Sequence, residues 1–186
     1  MRVLFGVTGS VASILTPKLV KELEANGHKV QVIATKASFY FWDPNQVDVP
    51  IWMEEDEWPE GGYSKNMRIA HIELREWADI LLIAPLTANT LAKMATGQCD
   101  NLLTCVVRAW DLKKQMVVAP AMNTKMWESP FTNEHLKTIK AVYGAAIIDP
   151  VPKRLACGED GIGAMEDIKV IVASIDSLSE EEGKRC

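Results

Sequence analysis

Five runs of this chain are apolar at nearly every position: residues 3–7, 29–34, 79–84, 115–119 and 145–148. Continuous apolar runs predict strands covered on both faces, as in a parallel sheet, whereas a half-exposed strand alternates. Between them the apolar residues recur at helical spacing, predicting helices from about residue 11 to 26 and over 72–78, 87–96, 101–110, 132–143 and 167–176. Gly27 is placed to end the first helix, and Pro17 marks either its early turn or a kink after a short first segment. Residues 43–66 break the pattern: they carry Pro44, Pro50, Pro59, Gly61 and Gly62, with room for one short strand near 50–53. An excursion of that length within a compact domain marks a functional or interface element. The βα alternation resumes beyond it, so the expectation is α/β: a three-layer, doubly wound parallel sheet in a single domain over residues 1–178, followed by a polar tail over 179–186.

Composition narrows the classes. At 186 residues, 48% hydrophobic and 24% charged, the chain can bury a core without staples. Its net charge of −5 comes with no basic stripe, which argues against nucleic acid as a partner. No run reaches membrane-spanning length and the first residues read as a strand rather than a leader, so a cytoplasmic protein is expected. Cys99, Cys105, Cys157 and Cys186 form no CxxC pair, and His28, His71 and His135 are scattered, so no metal site is expected. Cys99 and Cys105 read as packing residues, His28 as a surface residue and His135 as solvated. Trp42, Trp52 and Trp58, around the excursion, belong either to the core or to a subunit interface.

Chemistry concentrates where the predicted strands end. Gly9-Ser10-Val11 follows the first, Thr35-Lys36-Ala37-Ser38 the second, Thr87-Ala88-Asn89-Thr90 the third and Pro120-Ala121-Met122-Asn123 the fourth. In an open parallel sheet, ligands bind beyond the carboxyl ends of the strands, and helix N-termini there suit a phosphate. Each of Ser10, Thr35, Thr87 and Asn123 alone reads as an N-cap; together they favour a mononucleotide site. Neither GxGxxG nor GxxxxGK[ST] is present, so FMN fits better than a dinucleotide or ATP. His71 is either a base titrating near neutrality or an ordinary helical histidine. Residues 155–165, LACGEDGIGAM, set Cys157 among three glycines and ahead of Met165. That is the composition of a lid carrying a thiol, or of a mobile connector, with the glycines permitting closure.

These segments together resemble the FMN-dependent cysteine decarboxylases, a flavodoxin-like family. Within it they are most similar to the eukaryotic-type, single-function branch that decarboxylates 4′-phosphopantothenoylcysteine to 4′-phosphopantetheine in coenzyme A biosynthesis. The matching residues are Gly9-Ser10-Val11, HIELREWAD at 71–79, APLTANTLAK at 84–93, CDNLLTCVVRAWD at 99–111, PAMNTKMW at 120–127 and LACGEDGIGAM at 155–165. The resemblance implies that Gly9, Ser10, Val11, Thr35, Lys36, Ala37, Phe41, Thr87, Ala88, Asn89, Thr90 and Ala121 border FMN. It implies His71 as catalytic base, Asn123 as the residue holding the substrate carboxylate, and Cys157 as the proton donor of the last step. Arg154, Ala156 and Met165 would contact the substrate from a clamp. The implied reaction passes through a thioaldehyde and an enethiolate, and the implied assembly is a homo-oligomer, commonly a trimer, with flavin near subunit contacts. Thr87 stands where serine is usual and keeps the hydroxyl; Ala37 stands where a small hydroxyl residue is common, which leaves its backbone as the contact. The alternatives are an oxidative decarboxylase of a peptide C-terminal cysteine, a flavin prenyltransferase, and a non-catalytic binding or regulatory subunit. His71, the PAMN segment and the full Cys157 motif argue against all three.

Overall fold

The structure is a computed structural model that describes residues 1–58, 65, 67–154 and 160–183, with side chains through 179. The strands are β1 (Arg2–Val7), β2 (Lys29–Ala34), β3 (Ile51–Trp52), β4 (Ile80–Leu86), β5 (Gln115–Pro120), β6 (Ala146–Ile147), β7 (Val151–Arg154) and β8 (Asp160–Ala164). The helices are α1 (Thr16–Ala25), α2 (Glu54–Glu57), α3 (Ala70–Trp77), α4 (Ala88–Thr96), α5 (Leu102–Arg108), α6 (Thr124–Trp127), α7 (Pro130–Tyr143) and α8 (Ile168–Gly183).

Six strands form one parallel sheet in the order β3-β2-β1-β4-β5-β6, and β7 and β8 pair antiparallel apart from it. The flavodoxin-like α/β expectation therefore holds, with β3 added to the five continuous apolar runs. Side chains alternate along β1. Val3, Phe5 and Val7 meet Leu19 and Leu23 of α1 and Ile171 and Ile175 of α8 on one face. Leu4 turns to the other face, where α3, α4, α5 and α7 bury Leu74, Leu91, Leu103 and Ile139. Both faces are thus covered, which is why these strands carry no polar alternation.

The start of α1 differs from the simple helix reading for a clear reason, while its end is as expected. Ahead of α1, residues Val11–Leu15 make a 3₁₀ turn, and Pro17 sits in the first turn of α1, where its missing N–H would have no helical partner anyway. At the other end Gly27 takes φ 83°, the His28 N–H donates to Leu23 O and the Gly27 N–H to Glu24 O, closing the helix in the left-handed manner expected of glycine there. Helix α8 runs beyond the expected end at residue 176, to Gly183.

His28 is a correction: it is buried, not on the surface. Its Nε2 lies 2.7 Å from an oxygen of Asp176 on α8, and its Nδ1 lies 3.4 Å from the Met1 amino group. The sequence placed it at a strand entry; only the return of α8 onto that end covers it. Cys99 is also corrected, since it is exposed rather than packed. Of the tryptophans, Trp42 is in the core, Trp52 is half-buried with its indole N–H on Gln31, and Trp58 is 73% exposed. His135 is half-buried and stacks on Phe131.

Candidate functional site

The sheet order reverses between β1 and β4. From β1 the chain moves outward to β2 and β3, then returns to the other side of β1, so the loops after β1 and β4 diverge and leave a crevice at the carboxyl edge. Thr8, 1% exposed, ties these loops together: its hydroxyl donates to Pro85 O at 2.7 Å and accepts the Thr87 N–H at 3.1 Å. A register shift between Ile83 and Leu86 moves Leu86 to the opposite face from Ile80, Leu82 and Ala84.

The crevice opens into a cavity of about 590 Å³, within the roughly 300–1,000 Å³ span of small-molecule sites. Every residue expected to border a mononucleotide lines it: Gly9, Ser10, Val11, Thr35, Lys36, Ala37, Phe41, Thr87, Ala88, Asn89, Thr90 and Ala121. Gly9 is needed for a close approach, because a Cβ there would stand 2.6 Å from that of Ala37. The caps are as the residue types require. Ser10 accepts the Ala12 N–H at 3.3 Å and Thr87 the Thr90 N–H at 3.4 Å, while Thr35 instead turns its hydroxyl to Val7 O. Helix α4 therefore begins on the cavity wall, with first-turn N–H groups that have no acceptor within the helix, and Lys36 adds a cation. Phe41, Leu103, Ala121 and Met122 supply apolar wall. The first-turn N–H groups of α4 and Lys36 would suit a phosphate, and the apolar side chains would suit a flat ring. On the rim, Lys93 pairs with Asp100 at 2.6 Å, a pair the motifs did not single out.

A second cavity of about 430 Å³ shares Ser10, Val11, Ala121 and Met122 with the first. Asn123, Arg154 and Met165 line it, with Lys153 beside Arg154. Asn123 also caps α6, accepting the Lys125 N–H at 2.9 Å. Strand β8 forms the far wall because glycine lets it sit directly on the loop after β5. The Met122 N–H donates to Gly163 O at 2.9 Å, and a Cβ on Gly163 would stand 2.2 Å from Met122 O. A Cβ on Gly161 would stand 2.3 Å from Thr124 Oγ1. Gly161 and Gly163 thus serve close packing, a different use from the lid hinge expected of them. Cys157 and Ala156 fall in sequence between β7 and β8, outside the described residues.

His71 lines neither cavity. It lies in the first turn of α3, whose Ala70 and Leu74 pack in one layer, while Met165 packs in the opposite layer. Its ring Nδ1 lies 2.5 Å from Glu57 Oε1 and its backbone N–H donates to Glu57 Oε2 at 3.0 Å. Glu57, in α2, was not foreseen: it falls in the excursion over residues 43–66, and nothing in the run Glu54-Glu55-Asp56-Glu57 marks one member as buried. Met122, on the wall of both cavities, was also missed, since a methionine in a loop carries no signal of its position. Nearby, burial first, then the neighbouring Cys99 and Glu57, push the Cys105 thiol up to about 11, which keeps it a neutral donor to Cys99 O.

A profile of the flavoprotein family matches residues 1–180. The chain belongs to the flavoprotein family. It is 47% identical over 183 residues to phosphopantothenoylcysteine decarboxylase of Mus musculus, covering 98% of this chain and 89% of that one. Among solved structures it is similar to a cysteine-to-serine variant of PPC decarboxylase complexed with pantothenoylaminoethenethiol, with TM-score 0.91 and 44% identity over 96% of this chain and 98% of that one. It is also similar to the FMN-binding protein AtHal3, with TM-score 0.87 and 44% identity over 97% of each chain. No helix among the described residues is long and apolar enough to cross a membrane.

Proposed function

We infer that this protein is an FMN-dependent phosphopantothenoylcysteine decarboxylase, converting 4′-phosphopantothenoylcysteine to 4′-phosphopantetheine in coenzyme A biosynthesis. The observation that carries this reading is the pair of cavities with a common wall, in a chain similar over nearly its whole length to decarboxylases of that substrate. The first cavity suits FMN: α4 and Lys36 take its phosphate, and Phe41, Ala121 and Met122 border its ring. FMN bound there supplies the two-electron acceptor and donor that the reaction requires. The second cavity takes the substrate. The Asn123 side chain holds the carboxylate, with Arg154, Ala156 and Met165 around the rest. His71 takes a proton from the substrate as base, and Cys157 returns one to the carbon that has lost CO₂.

The protein acts in the cytoplasm as a homo-oligomer, a trimer in this reading. An oligomer also accounts for His71. Its layer is separate from that of Met165 in one chain, but its side chain is 25% exposed and its Nε2 has no partner among the described residues. A neighbouring copy's second cavity is where it acts. Mixed assemblies of His71→Asn and Asn123→Ala subunits, each reduced to a small residual rate alone, regain part of the activity on this reading.

Product analysis by mass spectrometry, with 4′-phosphopantothenoylcysteine and the flavin-loaded protein, tests the function. Phosphopantetheine is expected from the native chain, and an oxidised, decarboxylated product from Cys157→Ser. An enethiol product from the native chain would instead mark an oxidative cysteine decarboxylase, and no turnover a binding subunit.

A further inference from the structure

We propose that Glu57 is a positioning residue for His71: its carboxylate keeps the imidazole proton on Nδ1 and so leaves Nε2 as the basic nitrogen. The inference rests on the reading of His71 as the base. The Glu57 side chain is 4% exposed. A carboxylate that buried is costly unless its oxygens are satisfied. Here one residue engages both, through the His71 backbone N–H on Oε2 and the ring on Oε1. An ionised carboxylate only accepts hydrogen bonds, so the ring nitrogen facing it must carry the proton. Nε2 then holds the lone pair.

The helix that presents His71 is fixed by other elements at both ends. Ile69, at its N-cap, has no side-chain acceptor, and Glu57 provides one from α2. At its far end, Lys114 Nζ donates to Arg75 O at 2.8 Å and Ala78 O at 2.6 Å. Capping alone would need a single acceptor oxygen from Glu57. Fixing the tautomer as well occupies the second. In Glu57→Gln the one oxygen can still serve the backbone N–H, but the amide NH₂ then faces Nδ1 and draws the ring proton to Nε2. Replacing the carboxylate that orients a catalytic histidine by its amide costs about 10⁴-fold in kcat in a serine protease, for the same reason.

The test uses flavin-loaded protein labelled with ¹⁵N-histidine, read by long-range ¹H–¹⁵N spectra with the rings neutral. Native protein should show His71 protonated on Nδ1, and Glu57→Gln should show it on Nε2. The variant should lose at least about 10²-fold in kcat, with KM and flavin content held, and Glu57→Asp should recover part of the loss. In a His71→Asn background, Glu57→Gln should cost nothing further. Native His71 protonated on Nε2, native kcat in Glu57→Gln, or the same kcat loss in the His71→Asn background would each overturn the proposal. If His71→Asn alone leaves turnover intact, the reading of His71 as the base falls, while the native tautomer still decides whether Glu57 holds the ring.

Discussion

The two cavities share a wall but are assembled by different means. The first is made of turns at the carboxyl edge of the sheet, each set by its own strand and the helix that comes after it. Its wall is largely backbone and cap: Gly9 at a close approach, Ser10 and Thr87 capping the turns they begin, and α4 starting in place. The second exists only because β8, from the end of the chain, seats on the loop after β5 through Gly161 and Gly163. In the proposed function, local turn chemistry and sheet order make the cofactor's site, and long-range packing adds the substrate's.

Substitutions should separate the cavities. The largest effect falls on Gly163→Ala. Gly163 has φ 139°, a region costly to other residues, and the added Cβ meets the backbone of Met122. We expect kcat/KM to fall by at least about 10²-fold, near 2.7 kcal/mol, with flavin retained, as measured by absorbance of the purified protein. Equal loss of flavin would show that the cavities stand or fall together. Gly9→Ala is the converse. Its Cβ would crowd that of Ala37, so FMN affinity should weaken by about tenfold or more, and excess FMN should restore turnover. Titration by flavin fluorescence checks it; unchanged affinity would remove Gly9 from the cofactor wall.

Thr8→Val should disturb both cavities mildly through their common frame. It strips a buried hydroxyl from Pro85 O and the Thr87 N–H. A loss of about 1–3 kcal/mol is expected, or about 2–4 °C in Tm per kcal/mol for a chain this size. The smallest effect belongs to the opposite edge of the sheet, where Arg2 pairs with Asp79 at 2.7 Å. Burial pushes the Asp79 carboxyl up, but the Arg2 side chain and backbone N–H outweigh that and hold it below its ordinary value. A depressed folded value means the pair stabilises above the unfolded carboxylate range and loses that contribution as pH falls below about 4. The pair is partly exposed, so Asp79→Asn should cost less than about 1 kcal/mol at neutral pH, and the cost should shrink as pH falls through the lowered range of the Asp79 carboxyl, in urea melts. Flavin content and turnover should be untouched; a change in either would mean that this edge communicates with the site.

The sequence was most informative where function depends on residue type within one turn. Ser10, Thr87 and Asn123 cap the turns they begin wherever the helix is placed, and an all-apolar run such as Ile80–Leu86 belongs inside a covered sheet. Gly27 ends α1 through contacts with its own last turn. None of this requires knowledge of a distant partner. The tertiary structure decided the rest, because burial and pairing are properties of two segments at once. Nothing local hides His28; α8 does. Nothing in an acidic run selects Glu57; the packing of α2 against α3 brings it to His71. The glycines after Cys157 look the same in sequence whether they hinge or pack, and it is the nearness of Met122 and Thr124 that makes Gly163 and Gly161 packing residues. The residue types marked the carboxyl edge of the sheet where the first cavity opens. Only folding could show that a second cavity adjoins it, and that the histidine and its carboxylate stand on the other layer.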